Sequence, residues 1–200
     1  MPIYLLRHGE TEWSRADRKQ GRADSPLTPL GVSQVQACAR LLAKETSASS
    51  SVHLVTSPLG RARASAEIIR AFLGLAEGSL SVSDLLAEHD YGAWEGLTIA
   101  EIEERFPGQL ALRRQQHWNF VIPGGESYAL LAQRVHELLA LQDQSRIVVA
   151  VAHDMVSRVL RGLHLNLPSP EVLRLDHPHT RIYVLERGLV RSLEVESVAA

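Results

Sequence analysis

The feature that most constrains the fold is an alternation of short, largely apolar runs with longer amphipathic segments. Three such runs predict buried strands at Ile3–Leu6, Val52–Val55 and Ile147–Ala152, and a further strand is expected near Leu85–Ala87. Strands that are buried on both faces show continuous apolar runs, and the helices between them cover those faces. We therefore predict an α/β fold, a three-layer α/β/α sandwich with a mostly parallel central sheet.

Capping and turn residues mark where the other elements begin and end. Helix starts are predicted at Thr28-Pro29, at Ser57-Pro58, at Thr98 with Glu101 as its capping box, and at Ser127, whose helix is expected to end at Leu141. Arg187-Gly188 predicts the turn of a terminal hairpin between strands Arg181–Glu186 and Val190–Glu196. The small polar residues 46–51 predict a turn.

The composition excludes several classes of protein. The 200 residues contain 21 Lys and Arg against 23 Asp and Glu, so no basic excess is present to neutralise nucleic-acid phosphates. No apolar run approaches the ~18 residues of a membrane span, and the first residues lack the pattern of a secretory signal. The single cysteine, Cys38, favours a reducing cytoplasm. We expect one domain over residues 1–200, with no nucleic-acid or membrane partner, and the sequence leaves homodimer formation open.

Charged and polar side chains follow each predicted strand. They are Arg7 and His8 after the first strand, Arg61 after the second, Glu88 after the third and His153 after the fourth. In an open parallel sheet the ligand crevice lies outside the carboxyl ends of the strands. The sequence therefore directs five reactive side chains toward one side of the sheet, although spacing alone does not tell which strands are neighbours.

These residue types suit the transfer of a phosphoryl group. Two arginines offer planar forks of N–H donors for phosphoryl oxygens, and helix N-termini near Ser57 and Asp154 offer backbone N–H groups. A histidine can serve as the nucleophile, and a carboxyl group can donate a proton and later accept one. The sequence contains no dense carboxylate cluster for magnesium, so it predicts metal-independent chemistry without a cofactor on a small phosphorylated metabolite.

The motifs around these residues resemble those of the histidine phosphatase superfamily, the phosphoglycerate-mutase-like proteins. The similarity runs from about Ile3 to Leu165 and consists of ordered blocks: Leu6-Arg7-His8-Gly9-Glu10-Thr11, Asp24-Ser25-Pro26-Leu27-Thr28, Ser57-Pro58-Leu59-Gly60-Arg61-Ala62, Glu88-His89-Asp90-Tyr91-Gly92 and Pro123-Gly124-Gly125-Glu126-Ser127, followed by the strand that precedes His153. A lone Arg-His-Gly tripeptide is weak evidence, whereas ordered blocks over most of the chain are specific.

The resemblance implies a role for each of the five residues. His8 would form a phosphohistidine, Glu88 would be the proton donor, and Arg7, Arg61 and His153 would bind the phosphoryl oxygens. It also implies further substrate-binding positions: Ser14, Gln20, Gly21, Tyr91, Arg113, Arg114 and Asp154. Two of these depart from the family pattern, because Ser14 stands where Asn is frequent and Asp154 where Gly is usual. For Arg113 and Arg114 a solvated helix face is the alternative.

Within this family a phosphatase is favoured over a mutase. Only a short helical stretch separates Glu88 from Pro123, which predicts a small lid and access for water. Three alternatives stay open: a phosphoglycerate mutase, a member that binds phosphorylated ligands without turnover, and a metal-dependent hydrolase built on His153-Asp154. The pair His177 and His179 is expected to lie in a loop.

Overall fold

The central sheet consists of six strands, which appear in the order β3-β2-β4-β1-β5-β6. The computed structural model describes residues 2–47, 52–140 and 146–195. In chain order the strands are β1 Ile3–Arg7, β2 Val52–Thr56, β3 Ser81–Val82, β4 Ile147–Ala152, β5 Arg181–Glu186 and β6 Leu189–Glu194. Strands β1 to β4 pair in parallel, whereas β5 is antiparallel to both β1 and β6. The mostly parallel sheet is confirmed.

Helices cover both faces of this sheet. The described helices are α1 Glu12–Arg15, α2 Pro29–Thr46, α3 Gly60–Phe72, α4 Ile99–Arg105, α5 Gln109–Gln115, α6 Tyr128–Ala140, α7 Asp154–His164 and α8 Ser169–Val172. Along β1, Ile3 and Leu5 pack in the cluster under α6 and α7, whereas Tyr4 and Leu6 pack in the cluster under α2 and α3. This alternation of faces along a fully buried strand produces the three-layer α/β/α sandwich.

A third apolar cluster lies beside the sheet, in the segment that contains α4 and α5. Its buried members are Tyr91, Trp94, Leu97, Ile102, Leu110 and Ile122. The expected capping box is present at its first helix, where Thr98 accepts from the N–H of Glu101 and the Glu101 carboxylate accepts from the N–H of Thr98. This short segment lies between the Glu88 and Pro123 blocks, and its role as a lid stays a prediction.

The predicted strand at Leu85–Ala87 is wrong. The edge strand is β3, a few residues earlier, and Asp84–Leu86 forms a 3₁₀ helix. Pairing ends where the N–H of Ser83 donates to the Thr56 carbonyl, and the chain then turns so that Leu86 is buried in the α6 and α7 cluster. A short apolar run does not distinguish a strand from such a turn, because both bury one or two side chains.

One helix start also differs from expectation. α3 begins at Gly60, and its N-cap is Leu59, which makes no side-chain capping bond. The hydroxyl of Ser57 contacts His153 instead. The turn predicted at residues 46–51, the helix end at Leu141 and the strand end at Glu196 lie wholly or partly outside the described residues.

Candidate active site

The sheet brings the five predicted reactive residues to one edge. β4 lies between β1 and β2, so Arg7 and His8 at the end of β1 are adjacent to His153 at the end of β4. The His8 and His153 rings lie 5.1 Å apart, and Nε of Arg61 lies 3.2 Å from Nε2 of His8. A cavity of about 190 Å³ opens here, and its lining includes Arg7, His8, Arg61 and Glu88. His153 is buried beside His8 and is not part of the cavity lining.

The His8 ring has one defined protonation pattern. Its Nδ1 lies 2.7 Å from the Gly9 carbonyl oxygen, which only accepts, so Nδ1 carries the proton. Nε2 therefore holds a lone pair, and this lone pair accepts the N–H of Arg61 Nε. Burial lowers the pKa of His8 well below its usual range. The neighbouring His153, Arg61 and Arg7 side chains lower it further. A neutral imidazole with an unprotonated Nε2 is the form that a nucleophile requires.

Arg61 is held in place by the loop that precedes α2. Its guanidinium donates to the carbonyls of Gly21 (2.8 Å) and Ala23 (2.7 Å) and to the carboxylate of Asp24 (3.1 Å). Gly21 has φ +56°, and a side chain there would collide with Glu95. The Glu95 carboxylate accepts the backbone N–H groups of the two residues that follow Gly21. The loop conformation thus fixes the orientation of the arginine.

Arg7 retains a donor for a ligand. One of its terminal nitrogens donates to the His177 carbonyl at 2.9 Å, while its buried Nε has no hydrogen-bond partner among the described residues. A buried guanidinium N–H without a partner is uncommon, because its desolvation is uncompensated. Its position in the cavity lining suits contact with an anion.

The Glu88 carboxyl group lies at the N-terminus of α7. It accepts the N–H of His89 at 2.9 Å and, at 3.4 Å, the N–H groups of Met155 and Val156. Burial nevertheless raises the pKa of Glu88, with the nearby Asp154 charge adding to this, against the opposing effect of the His89 N–H bond. A carboxyl group with a raised pKa is suited to donate a proton near neutral pH.

Both helix N-termini that were expected to face a phosphate face carboxylates instead. Asp24 accepts the N–H of Arg61 in the first turn of α3, and Glu88 occupies the corresponding place at α7. A carboxylate competes for the same N–H groups and the same helix dipole as a phosphate. The side chains of the cavity, rather than helix termini, are therefore its main free donors.

His153 is positioned by Ser57. Its Nε2 lies 2.7 Å from the Ser57 hydroxyl oxygen, and its buried Nδ1 has no partner among the described residues. Burial, followed by the charges of Arg61 and Arg7, lowers the pKa of His153 well below its usual range. The ring is therefore neutral and bound to a hydroxyl group.

The other predicted substrate-binding residues divide into two groups. The cavity lining includes Ser14, Gln20, Gly21, Tyr91 and Asp154, and it does not include Arg113 or Arg114. These two arginines lie in a separate depression on α5, where Arg113 sits over the ring of Tyr91 at 5.8 Å. Substrate contacts by all seven stay predictions.

Ser14 and Asp154, the two departures from the family pattern, already have partners. The Ser14 hydroxyl donates to the Thr11 carbonyl at 3.0 Å, so its proton is engaged within the α1 capping box. The Asp154 carboxylate forms two bonds with Arg158, at 2.8 and 2.7 Å. The partner cation offsets the negative charge that Asp154 brings to the cavity lining.

Sequence reasoning missed three contributors to the site. His177 and His179 do lie in a loop, but that loop contacts both Arg7 and His8. Arg134 on α6 donates to the carbonyls of Leu85 and Ala87 and pairs with Glu126, which anchors the segment leading to Glu88. No local pattern indicates these contacts, because all except the Arg134–Glu126 pair join residues at least 47 positions apart in the chain.

Comparison with known proteins now identifies the family. A model of the histidine phosphatase superfamily (branch 1) matches residues 3–192. The chain belongs to this superfamily. It is 37% identical over 182 residues to the Bifunctional protein Rv2228c of Mycobacterium tuberculosis (strain ATCC 25618 / H37Rv), a match that covers 84% of this chain and 48% of that protein. The chain thus spans about half the length of the mycobacterial relatives that it matches.

Two other histidine phosphatase relatives carry enzyme names. The chain is 34% identical over 173 residues to the Probable phosphoglycerate mutase GpmB of Salmonella paratyphi C (strain RKS4594), covering 84% of this chain and 77% of that protein. It superimposes on the mycobacterial glucosyl-3-phosphoglycerate phosphatase Rv2419c, solved with VO3, with a TM-score of 0.75 and 29% identity, covering 100% of this chain and 99% of that one. Phosphatase and mutase names therefore both occur among the relatives.

The described residues also bear on metal binding and on membrane insertion. Within residues 2–47, 52–140 and 146–195, no group of three or more His, Cys, Asp or Glu side chains is arranged to hold a metal ion. In the same part of the chain, no helix combines the length and the apolar content that crossing a bilayer requires.

Proposed function

We propose that this protein is a phosphomonoester hydrolase that works through a phosphohistidine on His8. The observation that carries the proposal is the Nε2 lone pair of a neutral His8, beside the Arg61 guanidinium, at a cavity that also contains a carboxyl group of raised pKa. Membership of the histidine phosphatase superfamily supports the same chemistry.

The first step transfers the phosphoryl group to the protein. Nε2 of His8 attacks phosphorus while the bond from phosphorus to the ester oxygen breaks, and protonated Glu88 gives its proton to the departing alkoxide. Arg7 and Arg61 bind the phosphoryl oxygens, where their fixed positive charge stabilises the charge of the transition state. His153, neutral and bound to Ser57, supports the position of these groups and of His8.

The second step returns His8 to its starting form. Glu88, now a carboxylate, accepts a proton from water as the water oxygen attacks phosphorus, and the bond from phosphorus to Nε2 breaks. The products are an alcohol and inorganic phosphate, so one water is consumed in each cycle and no other reactant is needed. The shortness of the segment that contains α4 and α5 supports this step, because water must reach the phosphohistidine and a longer insertion would cover the site. We therefore favour the phosphatase over a mutase, although the name of the Salmonella relative supports the mutase as the second candidate.

The proposal is tested by phosphate release from para-nitrophenyl phosphate and a panel of phosphomonoesters that includes 3-phosphoglycerate. We expect release that resists EDTA and falls by on the order of 10³-fold or more in His8→Ala, because the nucleophile is lost. An acid-labile phosphate label on the wild-type protein should be absent from His8→Ala. The matched control is His53→Ala, which removes a partly buried histidine that contacts Ser81 outside the cavity lining.

Other outcomes would replace the proposal with one of its alternatives. Isomer conversion of phosphoglycerate without phosphate release would identify a mutase. Activity abolished by EDTA and restored by a divalent metal would identify a metal-dependent hydrolase. Tight phosphate binding with no turnover of any ester would identify a non-catalytic member.

A further inference from the structure

The peptide bond between His8 and Gly9 is held at both of its polar ends by side chains from other elements. Nδ1 of His179 lies 2.6 Å from the His8 carbonyl oxygen, and the N–H of Gly9 donates to the Ser65 hydroxyl at 3.2 Å. Because a carbonyl oxygen only accepts, Nδ1 of His179 carries the proton of the first bond. The orientation of this peptide plane is thus set from outside β1.

His179 is itself firmly placed. It belongs to the loop between α8 and β5, and its own carbonyl accepts the thiol of buried Cys38 at 3.6 Å. Pro178 restricts the backbone just before it, and the carbonyl of His177 accepts a terminal N–H of Arg7. One short loop therefore contacts two consecutive residues of the site. It accepts a terminal N–H of Arg7 and binds the backbone carbonyl of His8, and neither of these bonds involves a ring nitrogen of His8.

The orientation of this peptide plane affects the His8 ring directly. Nδ1 of His8 donates to the Gly9 carbonyl, and the position of that carbonyl follows from the preceding peptide and from Gly9. Gly9 is confined, because its Cα packs so closely on the Gly31 backbone that a Cβ would lie 2.2 Å from the Gly31 oxygen. With the peptide plane and the glycine both fixed, the Gly9 carbonyl stays where Nδ1–H of His8 can reach it.

We propose that His179, with Ser65 at the other end of the peptide, is a positioning residue for His8. Its Nδ1–H holds the His8 carbonyl, so that His8 keeps the tautomer in which Nδ1 is protonated and the Nε2 lone pair faces Arg61. The kinetic part of this inference rests on the proposed function of His8, whereas the tautomer itself does not. A displacement of about 1 Å of a reacting group is enough to slow catalysis by about 10²-fold.

Two substitutions separate the hydrogen bond from the space that the ring fills. His179→Leu removes the donor, and His179→Asn keeps an N–H donor at the place of Nδ1. We expect kcat on para-nitrophenyl phosphate to fall by about 10- to 100-fold in His179→Leu and to return to within about threefold of wild type in His179→Asn. The inhibition constant of inorganic phosphate should change by less than about threefold in both, because Arg7 and Arg61 remain.

The chain offers a matched control. His164 at the end of α7 also contacts a backbone carbonyl through a ring nitrogen, that of Leu189 at 3.2 Å. Leu189 starts β6 at the end of the sheet opposite to His8. His164→Leu removes the same kind of bond and should leave kcat unchanged.

A spectroscopic measurement tests the positioning without relying on turnover. Two-bond ¹H–¹⁵N spectra of the histidine rings, with the His8 signal assigned by its loss in His8→Asn, report which nitrogen is protonated. Wild type and His179→Asn should show His8 protonated at Nδ1, and His179→Leu should show a mixture of tautomers. If no phosphomonoester is hydrolysed even by wild type, the proposed function fails while this spectrum still decides the inference.

Several results would overturn the positioning role. It fails if His179→Leu keeps the wild-type kcat and spectrum, or if His179→Asn is as impaired as His179→Leu, since the donor then does not matter. If His179→Leu does not fold, Ser65→Ala, which removes the bond at the other end of the peptide, replaces it in the same two measurements. An unchanged His8 tautomer and kcat in that variant would also overturn the inference.

Discussion

At the scale of single residues, burial controls the chemistry of the site more than sequence neighbours do. Glu88 accepts backbone N–H groups that favour its charged form, and its pKa is nevertheless raised because desolvation outweighs them. Burial also disfavours the charged form of His8. Because the charged form of an imidazole is the protonated one, burial lowers its pKa and His8 is neutral. One cavity thus contains a carboxyl group with a raised pKa beside a histidine whose pKa is lowered.

The raised pKa of Glu88 leads to a prediction about leaving groups. Glu88→Gln should slow the hydrolysis of alkyl phosphates far more than that of para-nitrophenyl phosphate, by about 10²-fold or more, because an aryl oxide departs with little need for a proton. The measurement is kcat/KM of the two ester classes in both proteins. Equal losses on both would contradict the role of Glu88 as the proton donor.

At the scale of elements, the helix that follows the Arg-His-Gly segment is tied to it by its cap. Thr28 caps α2 by accepting the N–H of Gly31 at 2.9 Å, and its hydroxyl donates to the carboxylate of Glu10 at 2.8 Å. Thr28 is buried, whereas Thr98, which caps α4, is only partly buried. The α2 cap therefore joins the Arg-His-Gly segment to the helix layer through the hydroxyl of Thr28 itself.

The two caps provide a matched pair of substitutions. Thr28→Ala should lower the free energy of unfolding by about 2 kcal/mol, because it removes a cap and a bond to a charged group. Thr98→Ala should lower it by about 1 kcal/mol, the usual effect of a lost cap. Urea denaturation followed by circular dichroism measures both. Equal losses would show that the Glu10 contact contributes no stability.

At the scale of the whole molecule, folding buries several histidines without charge. Burial lowers the pKa of His8, His153 and His177, that of His89 to about 3 and that of His179 to about 4. Below the unfolded value of 6.5 the unfolded chain binds more protons at these residues than the folded one, so their contribution to stability is lost as the pH falls. The contribution of Glu88 to the pH dependence of stability has the opposite sign. Its raised pKa means that the folded protein binds the proton more readily than the unfolded chain, which offsets part of this loss at low pH.

This difference in proton binding predicts acid sensitivity. Between pH 6 and pH 5 the free energy of unfolding should fall, with up to about 1.4 kcal/mol per pH unit from each buried histidine. His89 should contribute close to this full amount, because burial lowers its pKa to about 3 and the folded protein leaves it neutral in this range. Its ring nitrogens lack partners among the described residues, and its ring packs between Tyr91 and Tyr128. His89→Phe should therefore reduce the pH slope by about that amount.

The control for the acid prediction is Tyr128→Phe. It alters the packing against His89 without removing a group that titrates in this pH range. The measurement is denaturant unfolding of the three proteins at pH 5, 5.5 and 6. A slope in His89→Phe equal to that of wild type would contradict the neutral burial of His89.

Local patterns predicted much of this fold because the forces behind them are local. The apolar runs of β1, β2 and β4, the caps at Thr28 and Thr98 and the hairpin turn at Arg187-Gly188 are all present. The predicted strand at Leu85–Ala87 failed because three apolar residues fit a turn into the core as well as they fit a strand. The single domain over residues 1–200, the cytoplasmic location and the homodimer stay predictions.

Strand periodicity, caps and motif order are properties of neighbouring residues, and these local patterns alone predicted the layered fold, the family and the five candidate site residues. The arrangement of those residues in space came only from the tertiary structure. It put β4 between β1 and β2, set carboxylates at both helix N-termini, and brought His179 to the His8 carbonyl across 171 positions. Such contacts depend on burial and on the pairing of distant segments, which no local pattern encodes.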